Sequence, residues 1–232
     1  IRSMRNRYPD MQFSCTIGFG ADAWKRFFPE QGNPKELQPF EEIKGVKLTA
    51  VSTPGDLLFH IRCKQMGLCF EFASIIDQKL RGVVESIDET HGFRYRDGKA
   101  IIGFVDGTEN PAVDENPYHF AVIGDEDPDF IGGSYVFVQK YIHDMTAWNS
   151  LPVEAQEKVI GRHKYNDVEL SDEEKPQNAH NAVTNIGDDL KIVRANMPFA
   201  NTSKGEYGTY FIGYASTFST TRRMLELSLI HI

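Results

Sequence analysis

The sequence has 232 residues, a net charge of −8 and a pI near 5.4. Apolar residues make up 41% of it, enough for a sizeable core, and charged residues make up 25%, as in ordinary soluble proteins. An acidic chain without a basic stripe offers phosphates no partner, which argues against a nucleic-acid binding protein. The apolar runs are far too short to span a membrane, and three cysteines without a CxxC pair predict neither a disulfide framework nor a zinc knuckle.

The first half of the chain alternates between strand and helix patterns. Apolar residues recur at every second position in the predicted strands and at helical spacing in the predicted helices. In chain order we predict a strand over 11–19, a short helix from Asp22 to a stop at Pro29, a strand over 57–63, a helix over 68–84 and a strand over 93–96. The stretch 32–54 is rich in Gly, Pro and charge, and we expect it to form an excursion.

The second half begins after Gly103 and has a different order of elements. In chain order we predict a strand over 135–142, a helix over 148–160, strands over 190–194 and 207–215, and a final helix that opens at Ser219. Gly161 follows the last residue of the first of these helices, as is typical of a helix end.

Both halves are parts of one βαββαβ unit, the ferredoxin-like split motif. The first half lacks the opening strand and helix of that unit, and the second lacks its closing strand. We therefore predict an α+β fold of two tandem ferredoxin-like (split βαβ) domains with antiparallel sheets, truncated at both ends. The predicted boundary gives an incomplete N-terminal domain over residues 1–102 and an incomplete C-terminal domain over 103–232.

The segment GFVDGTENP, residues 103–111, lies between the two halves. Two glycines and a proline around Asp106 and Asn110 are also typical of a turn-rich linker, so the segment alone predicts no chemistry. Further on, Arg194 ends a predicted strand and precedes Asn196 and a chain-breaking proline. An arginine in that place is either a surface charge or a buried cation aimed into a cavity.

Seven histidines are available, and a lone histidine is more often a satisfied polar group than a ligand. His180 lies in PQNAHN, residues 176–181, with no second histidine three or four positions away, so zinc-type spacing is absent. A single neutral imidazole can still be the sole protein ligand of a haem iron, because the porphyrin supplies the other four nitrogens.

Together these segments resemble those of the dye-decolourising peroxidases. GFVDGTENP at 103–111 is similar to that family's GxxDG loop, the histidine of KPQNAH at 175–180 to its proximal ligand, and RANMPF at 194–199 to its distal arginine segment. Further matches are GGSYVFVQ at 132–139, VIGR at 159–162 and YGTYFIGYA at 207–215. The resemblance spans residues 11–226, and the ordered set is specific where a lone GxxDG would be weak.

The resemblance implies haem b, with its iron on His180 and most of its site in the C-terminal domain. Asp106, Arg194 and Asn196 would form the catalytic set on the face where peroxide arrives. One positioned base can move a proton from one peroxide oxygen to the other, which is the implied role of Asp106. Arg194 would keep Asp106 ionised and stabilise the leaving oxygen. The implied cofactor-binding residues are Asp106, Gly107, Thr108, Glu109, Asn110, Arg162, His180 and Arg194, with Arg162 on a haem propionate.

The implied activity is that of a haem peroxidase, which reduces hydrogen peroxide while it oxidises an unidentified organic donor. Surface electron transfer would use Tyr or Trp, and the candidates are Tyr135, Tyr141, Trp148, Tyr207, Tyr210 and Tyr214. We expect a cytoplasmic location, with an export signal lost before Ile1 left open, and a homo-oligomer for the full-length protein. Residues 227–232 match nothing in the family, and we expect residues 1–232 alone to bind haem weakly.

Three rival functions fit less well. A haem-binding or iron-release protein without peroxidase turnover would keep His180 but has no need of an Asp106–Arg194 pair. A related haem enzyme that acts on an oxyanion would share the tandem ferredoxin-like fold without the GxxDG loop. A cofactor-free scaffold with a polar linker would not carry the ordered set of motifs.

Overall fold

A computed structural model describes residues 1–108, 110–184, 187 and 190–231. The chain divides into two compact units. The first comprises Ile1–Asn33, Gln38–Phe40 and Thr53–Glu89, and the second comprises Pro34–Leu37, Glu41–Ser52 and Thr90–Ile232. The boundary between residues 102 and 103 stays a prediction. Within the described part of the chain, no helix is long and apolar enough to cross a membrane.

The first unit is built on a two-stranded antiparallel sheet. Its strands are β1 (Ser14–Phe19) and β4 (Leu57–Arg62), and its helices are α1 (Arg2–Arg7), α2 (Ala21–Phe27) and α3 (Met66–Leu80). Ser14 lies opposite Arg62, and Phe19 lies opposite Leu57. The Phe13 ring meets the Phe72 ring of α3 edge-on, with centroids 5.1 Å apart. The two strands and the helix α2 predicted here are confirmed, whereas the helix predicted over 68–84 ends at Leu80. Helix α1 was not predicted from the sequence.

The second unit is built on a four-stranded antiparallel sheet. Its strands are β5 (Tyr135–Ile142), β6 (Val193–Arg194), β7 (Met197–Asn201) and β8 (Glu206–Ala215). β8 pairs with β5 on one side and with both β6 and β7 on the other. The register is the same through β6 and β7, since Arg194 lies opposite Gly213 and Met197 opposite Tyr210. A hairpin of β2 (Ile43–Lys44) and β3 (Thr49–Ala50) belongs to this unit too.

Five helices complete the second unit. They are α4 (Pro117–Ala121), α5 (Met145–Ser150), α6 (Val153–Ile160), α7 (His180–Thr184) and α8 (Phe218–His231). α8 contacts β5 and β8, and α7 packs between α6 and α8. Four residues of α8 recur at helical spacing and line the cavity described below: Thr221, Met224, Leu225 and Ser228.

The α+β class with antiparallel sheets is confirmed, but two predicted strands need correction. Residues 93–96 form no strand: Phe93 donates one backbone hydrogen bond to the Pro198 carbonyl (3.0 Å), and the chain then turns at Asp97, whose φ is 58°. The strand predicted over 190–194 is confined to Val193–Arg194. The helix predicted over 148–160 is two helices, α5 and α6, divided at Leu151 and Pro152.

Candidate active site

A cavity of about 370 Å³ lies in the second unit, within the size range of small-molecule and cofactor sites. Its apolar lining comes partly from β5, β8 and α8, with Phe137, Phe211, Met224 and Leu225, and partly from loops, with Phe104 and Ile192 among others. Charged and polar side chains line it as well, among them Asp106, Arg162, His180, Arg194 and Asn196. An apolar cavity with a few convergent polar groups is the usual form of a binding or active site.

The loop over residues 98–110 delivers Asp106 to the cavity. The Asp106 N–H donates to the Gly98 carbonyl (3.2 Å), and the Asn110 N–H donates to the Gly107 carbonyl (3.1 Å), which closes a turn directly after Asp106. Gly107 has a φ of 82°, a conformation that residues with a side chain rarely adopt. Gly107 therefore serves this turn, and the turn fixes the backbone next to Asp106.

Asn196 joins the Asp106 carboxylate to the sheet. Its Nδ2 donates to Oδ1 of Asp106 (3.3 Å), and its Oδ1 accepts from the Ile212 N–H (3.2 Å). The Ala195 N–H donates to the Ile212 carbonyl (2.9 Å), so a regular ladder would return the Ile212 N–H to Ala195. The side chain of Asn196 takes that place between β6 and β7, and the amide is thereby held in position toward Asp106.

His180 is the first residue of α7, and its ring is exposed to the cavity. Partial removal from water nevertheless lowers the pKa of His180. Arg194 lowers that pKa further, whereas Asp106 raises it. The imidazole is therefore neutral at pH 7, which is the form that binds a metal.

Arg162 lines the cavity just beyond the end of α6. Its Nε lies 3.1 Å from Oδ1 of Asp167, its Nη2 donates to the Asp167 carbonyl (2.9 Å), and its Nη1 lies 3.9 Å from Oε2 of Glu169. These contacts fix a half-buried guanidinium at the cavity wall, where it can bind an anionic group of a ligand.

The neighbour of His180, Asn181, attaches α7 to the end of α6. Its buried Nδ2 donates to the Gly161 carbonyl (3.2 Å) and to Oε1 of Glu169 (3.0 Å). A Cβ on Gly161 would lie 1.8 Å from Oδ1 of Asn181, and the φ of Gly161 is 91°. Glycine is thus required here both for the backbone conformation and for the close approach of α7.

Family models match nearly the whole chain. The model described as Dyp-type peroxidase, N-terminal, matches residues 2–94, and the model described as Dyp-type peroxidase, C-terminal, matches residues 97–231. The chain belongs to the Dyp-type peroxidase family.

Individual relatives agree with this assignment. The chain is 52% identical to a dye-decolorizing peroxidase of Rhodococcus erythropolis, over 97% of the chain and 66% of that protein. It is 88% identical to a dye-decolorizing peroxidase from Bacteroides thetaiotaomicron of known crystal structure, with a TM-score of 0.95 over 97% of the chain and 73% of that one. A DypB variant of Rhodococcus jostii, solved in complex with heme, is 47% identical with a TM-score of 0.91 over the same shares. The chain thus spans about two thirds of the length of the first of these.

The cavity of this Dyp-type peroxidase brings most of the sequence-predicted site residues together. Those that line it are Asp106, Gly107, Thr108, Arg162, His180, Arg194 and Asn196. Glu109 lies outside the described residues. Asn110 does not line the cavity, and its side chain contacts Arg194 instead. Another histidine of the second unit, His163, does not line the cavity either. Its Nδ1 lies 3.2 Å from Oε2 of Glu157.

Sequence reasoning missed a group of cavity residues on the central strands. Tyr141 is predicted only as one of several electron-transfer candidates, and His143 is not singled out among the seven histidines. His143 lines the cavity with its Nε2 2.9 Å from the Thr209 hydroxyl. The alternation of side chains along a strand could have revealed these residues. Positions 137, 141 and 143 differ by even numbers, so their side chains are expected on one face of β5 and its continuation.

The donor set of the cavity fits a haem. His180 presents a single neutral imidazole, and the described residues contain no group of three or more His, Cys, Asp or Glu side chains that could hold a metal ion. A metal held by one imidazole needs its other ligands from elsewhere, and a porphyrin supplies four nitrogens. The apolar walls suit a flat macrocycle, and Arg162 suits its carboxylates.

Proposed function

We propose that this protein is a haem peroxidase that reduces hydrogen peroxide while it oxidises an organic donor. The observation that supports it most directly is the convergence on one cavity of a neutral imidazole, His180, with the Asp106–Asn196 pair and Arg194. A haem carrier needs the imidazole alone, whereas the hydrogen-bonded carboxylate and the cation suit proton transfer and charge stabilisation.

Haem b is the proposed cofactor, with His180 as its iron ligand. When bound, the haem would supply the iron that reduces peroxide and would then accept electrons from the donor. The attachment of Asn181 to Gly161 and Glu169 fixes the start of α7 and so the position of His180. The relative from Rhodococcus jostii solved in complex with heme supports the choice of cofactor.

Asp106 is the proposed general base. It would take a proton from one oxygen of peroxide and return it to the departing oxygen as water leaves. Asn196 orients the carboxylate through the 3.3 Å contact to Oδ1 and would also help to place peroxide. Arg194 would stabilise negative charge on the departing oxygen.

Arg162 and the turn after Asp106 are the proposed partners of the haem carboxylates. The guanidinium of Arg162 is already fixed by Asp167 and Glu169, so little conformational entropy is lost on binding. Gly107 and Thr108 also line the cavity, so their backbone N–H groups can contribute to binding the haem carboxylates. The donor remains unidentified. We further propose the cytoplasm as location and a homo-oligomer as the full-length form.

The decisive experiment removes the imidazole. His180→Ala in the haem-loaded protein is expected to abolish or grossly weaken haem retention, measured by the Soret absorption after gel filtration. The same measurement on His163→Ala is expected to give native retention, because His163 pairs with Glu157 away from the cavity. Retention by His180→Ala together with loss in His163→Ala would show that the wrong histidine has been chosen.

Peroxide turnover by the native holoenzyme tests the activity itself. The haem absorption is expected to change on mixing with hydrogen peroxide and to return on addition of an oxidisable phenol or dye. A holoenzyme that binds haem through His180 but shows no such cycle would be a haem-binding protein without turnover.

A further inference from the structure

The side-chain amide of Asn110 is engaged at both ends by the backbone of one residue, Arg194. Its Oδ1 accepts from the Arg194 N–H (2.7 Å), and its Nδ2 donates to the Arg194 carbonyl (3.0 Å). Both polar atoms of the Asn110 side chain are therefore used by the backbone of the same residue. The backbone N–H of Asn110 is used as well, in the turn to Gly107.

The place of this contact explains its form. β6 consists of two residues and pairs with β8 on one side, where Arg194 lies opposite Gly213. A half-buried Arg194 needs partners for its N–H and carbonyl on the other edge, because unpaired buried backbone groups are costly. Asn110 provides a donor and an acceptor with the spacing of a peptide and so replaces a neighbouring strand at this residue.

The contact also joins the two arms that carry the proposed distal residues. Asp106 stands four residues before Asn110, and the turn from Gly107 to Asn110 keeps the two together. On the other arm, Arg194 is held at its own N–H and carbonyl. Asn196 makes a second link between the same arms through its 3.3 Å contact to Asp106. Asp106 and Arg194 thus stand on two arms that are linked by two asparagine side chains, one from each arm.

We propose that Asn110 is a positioning residue that fixes the Arg194 side chain relative to Asp106, rather than a residue that binds the cofactor. This inference rests on the proposed function of Arg194. Asn110 acts only through Arg194, because both of its amide atoms bond to the Arg194 backbone and Asn110 itself does not line the cavity. Small displacements of a reacting group, on the order of 1 Å, can lower a rate by about 100-fold.

A double-variant cycle on the haem-loaded protein tests this role. Asn110→Ala is made in the native protein and in an Arg194→Leu background, with Asn201→Ala as the matched control. Asn201 also accepts hydrogen bonds with its Oδ1, from Ser203 and Lys204, but lies outside the cavity lining. The readouts are the equilibrium affinity for fluoride, followed by haem absorption, and the rate of reaction with peroxide as a function of pH.

Asn110→Ala is expected to lower the rate with peroxide by about 10–100-fold and to weaken fluoride binding in the native background. In the Arg194→Leu background, both effects should shrink to less than about threefold, because the group that Asn110 positions is already absent. Asn110→Asp keeps the acceptor for the Arg194 N–H and loses the donor, so it should fall between native protein and Asn110→Ala. Asn201→Ala should behave as native.

Equal effects of Asn110→Ala in both backgrounds, or native behaviour beside an impaired Arg194→Leu protein, would overturn the positioning role alone. Arg194→Leu with native fluoride affinity and peroxide rate would contradict the proposed function of Arg194, and the positioning role with it. If both Asn110 variants lose haem while Arg194→Leu and Asn201→Ala retain it, Asn110 holds the cavity itself and the proposal is wrong.

Discussion

Asp106 and Arg194 line one cavity with opposite charges, and their proposed roles differ by what each does to peroxide. Loss of a general base typically costs about two to four decades in rate. Loss of one charge-stabilising donor costs about 2.7–4 kcal/mol, or two to three decades. The sizes of the two effects overlap, so rate alone cannot separate a base from a stabilising cation.

The pH dependence of the reaction with peroxide separates them. Arg194→Leu is expected to lower the rate by about two to three decades while the rate still depends on pH, because the proposed base is retained. Asp106→Asn is expected to lower the rate by about two to four decades and to remove the pH dependence that the base contributes. Stopped-flow mixing from acidic to neutral pH measures both, with haem content checked first. A native rate and profile in Asp106→Asn would leave Asp106 a structural residue.

Individual site residues could be predicted where they belong to a recognisable motif. They could not be predicted where only a contact between distant parts of the chain determines their role. Asp106 and His180 stand in segments with a characteristic order, and both line the cavity. The two bonds of Asn110 to Arg194 join residues 84 positions apart. No local pattern encodes such a contact, so the sequence could not predict it.

At the scale of elements, the strands with regular alternation could be predicted and the irregular edge could not. β5 and β8 alternate over eight and ten residues and pair along their lengths. β7 contains Pro198, which the sequence suggests is a chain breaker. A proline is tolerated in an edge strand, where its missing N–H is not needed by a neighbour. β7 pairs with β8 alone, so Pro198 fits opposite Thr209.

The junction of α6 and α7 gives a prediction at this scale. Gly161→Ala places a side chain at a φ of 91° and against Asn181, so we expect a loss of about 1–3 kcal/mol in the free energy of unfolding of the second unit. Gly205→Ala is the matched control, because Gly205 has a φ of 65° with nothing within 4 Å of its Cβ position. Urea unfolding of both variants measures the difference.

At the same junction, the steric contribution to the loss of unfolding free energy can be separated from the backbone contribution. Adding Asn181→Ala to Gly161→Ala removes the close contact and leaves the backbone cost, so the double variant should lose less than the sum of the two single losses. Strict additivity, or a Gly161→Ala loss no larger than that of Gly205→Ala, would show that the contact with Asn181 does not constrain α7.

At the scale of the whole molecule, the division of the chain could not be predicted from local patterns. The sequence placed residues 34–37 in the first domain, whereas they group with the second unit. The Lys35 N–H donates to Oδ2 of Asp127 (2.8 Å), and the Ser219 N–H at the start of α8 donates to Oε2 of Glu36 (2.7 Å). These partners lie 92 and 183 residues away along the chain. The composition of residues 34–37 therefore could not predict these contacts.

Each unit contains a histidine whose burial makes the molecule sensitive to acid. In the first unit, desolvation and, to a smaller extent, the nearby Arg62 lower the pKa of His60 from 6.5 to about 4. In the second unit, desolvation lowers the pKa of His143. Below pH 6.5 the unfolded chain takes up protons at these sites that the folded chain does not bind. Stability therefore falls as the pH decreases from about 6.5 toward 4, and this loss is absent above pH 6.5.

Replacing these histidines is expected to flatten that dependence. His60→Gln should reduce the acid-induced loss of unfolding free energy in the first unit, and His143→Gln in the second, because glutamine is neutral at every pH. His119→Gln, at an exposed position, is the control and should leave the native dependence in place. Urea unfolding of the haem-free protein at several pH values from 7 to 4 measures each slope. If His60→Gln keeps the native slope across this window, the acid sensitivity of the first unit comes from its carboxylates, because they are the remaining groups that titrate there.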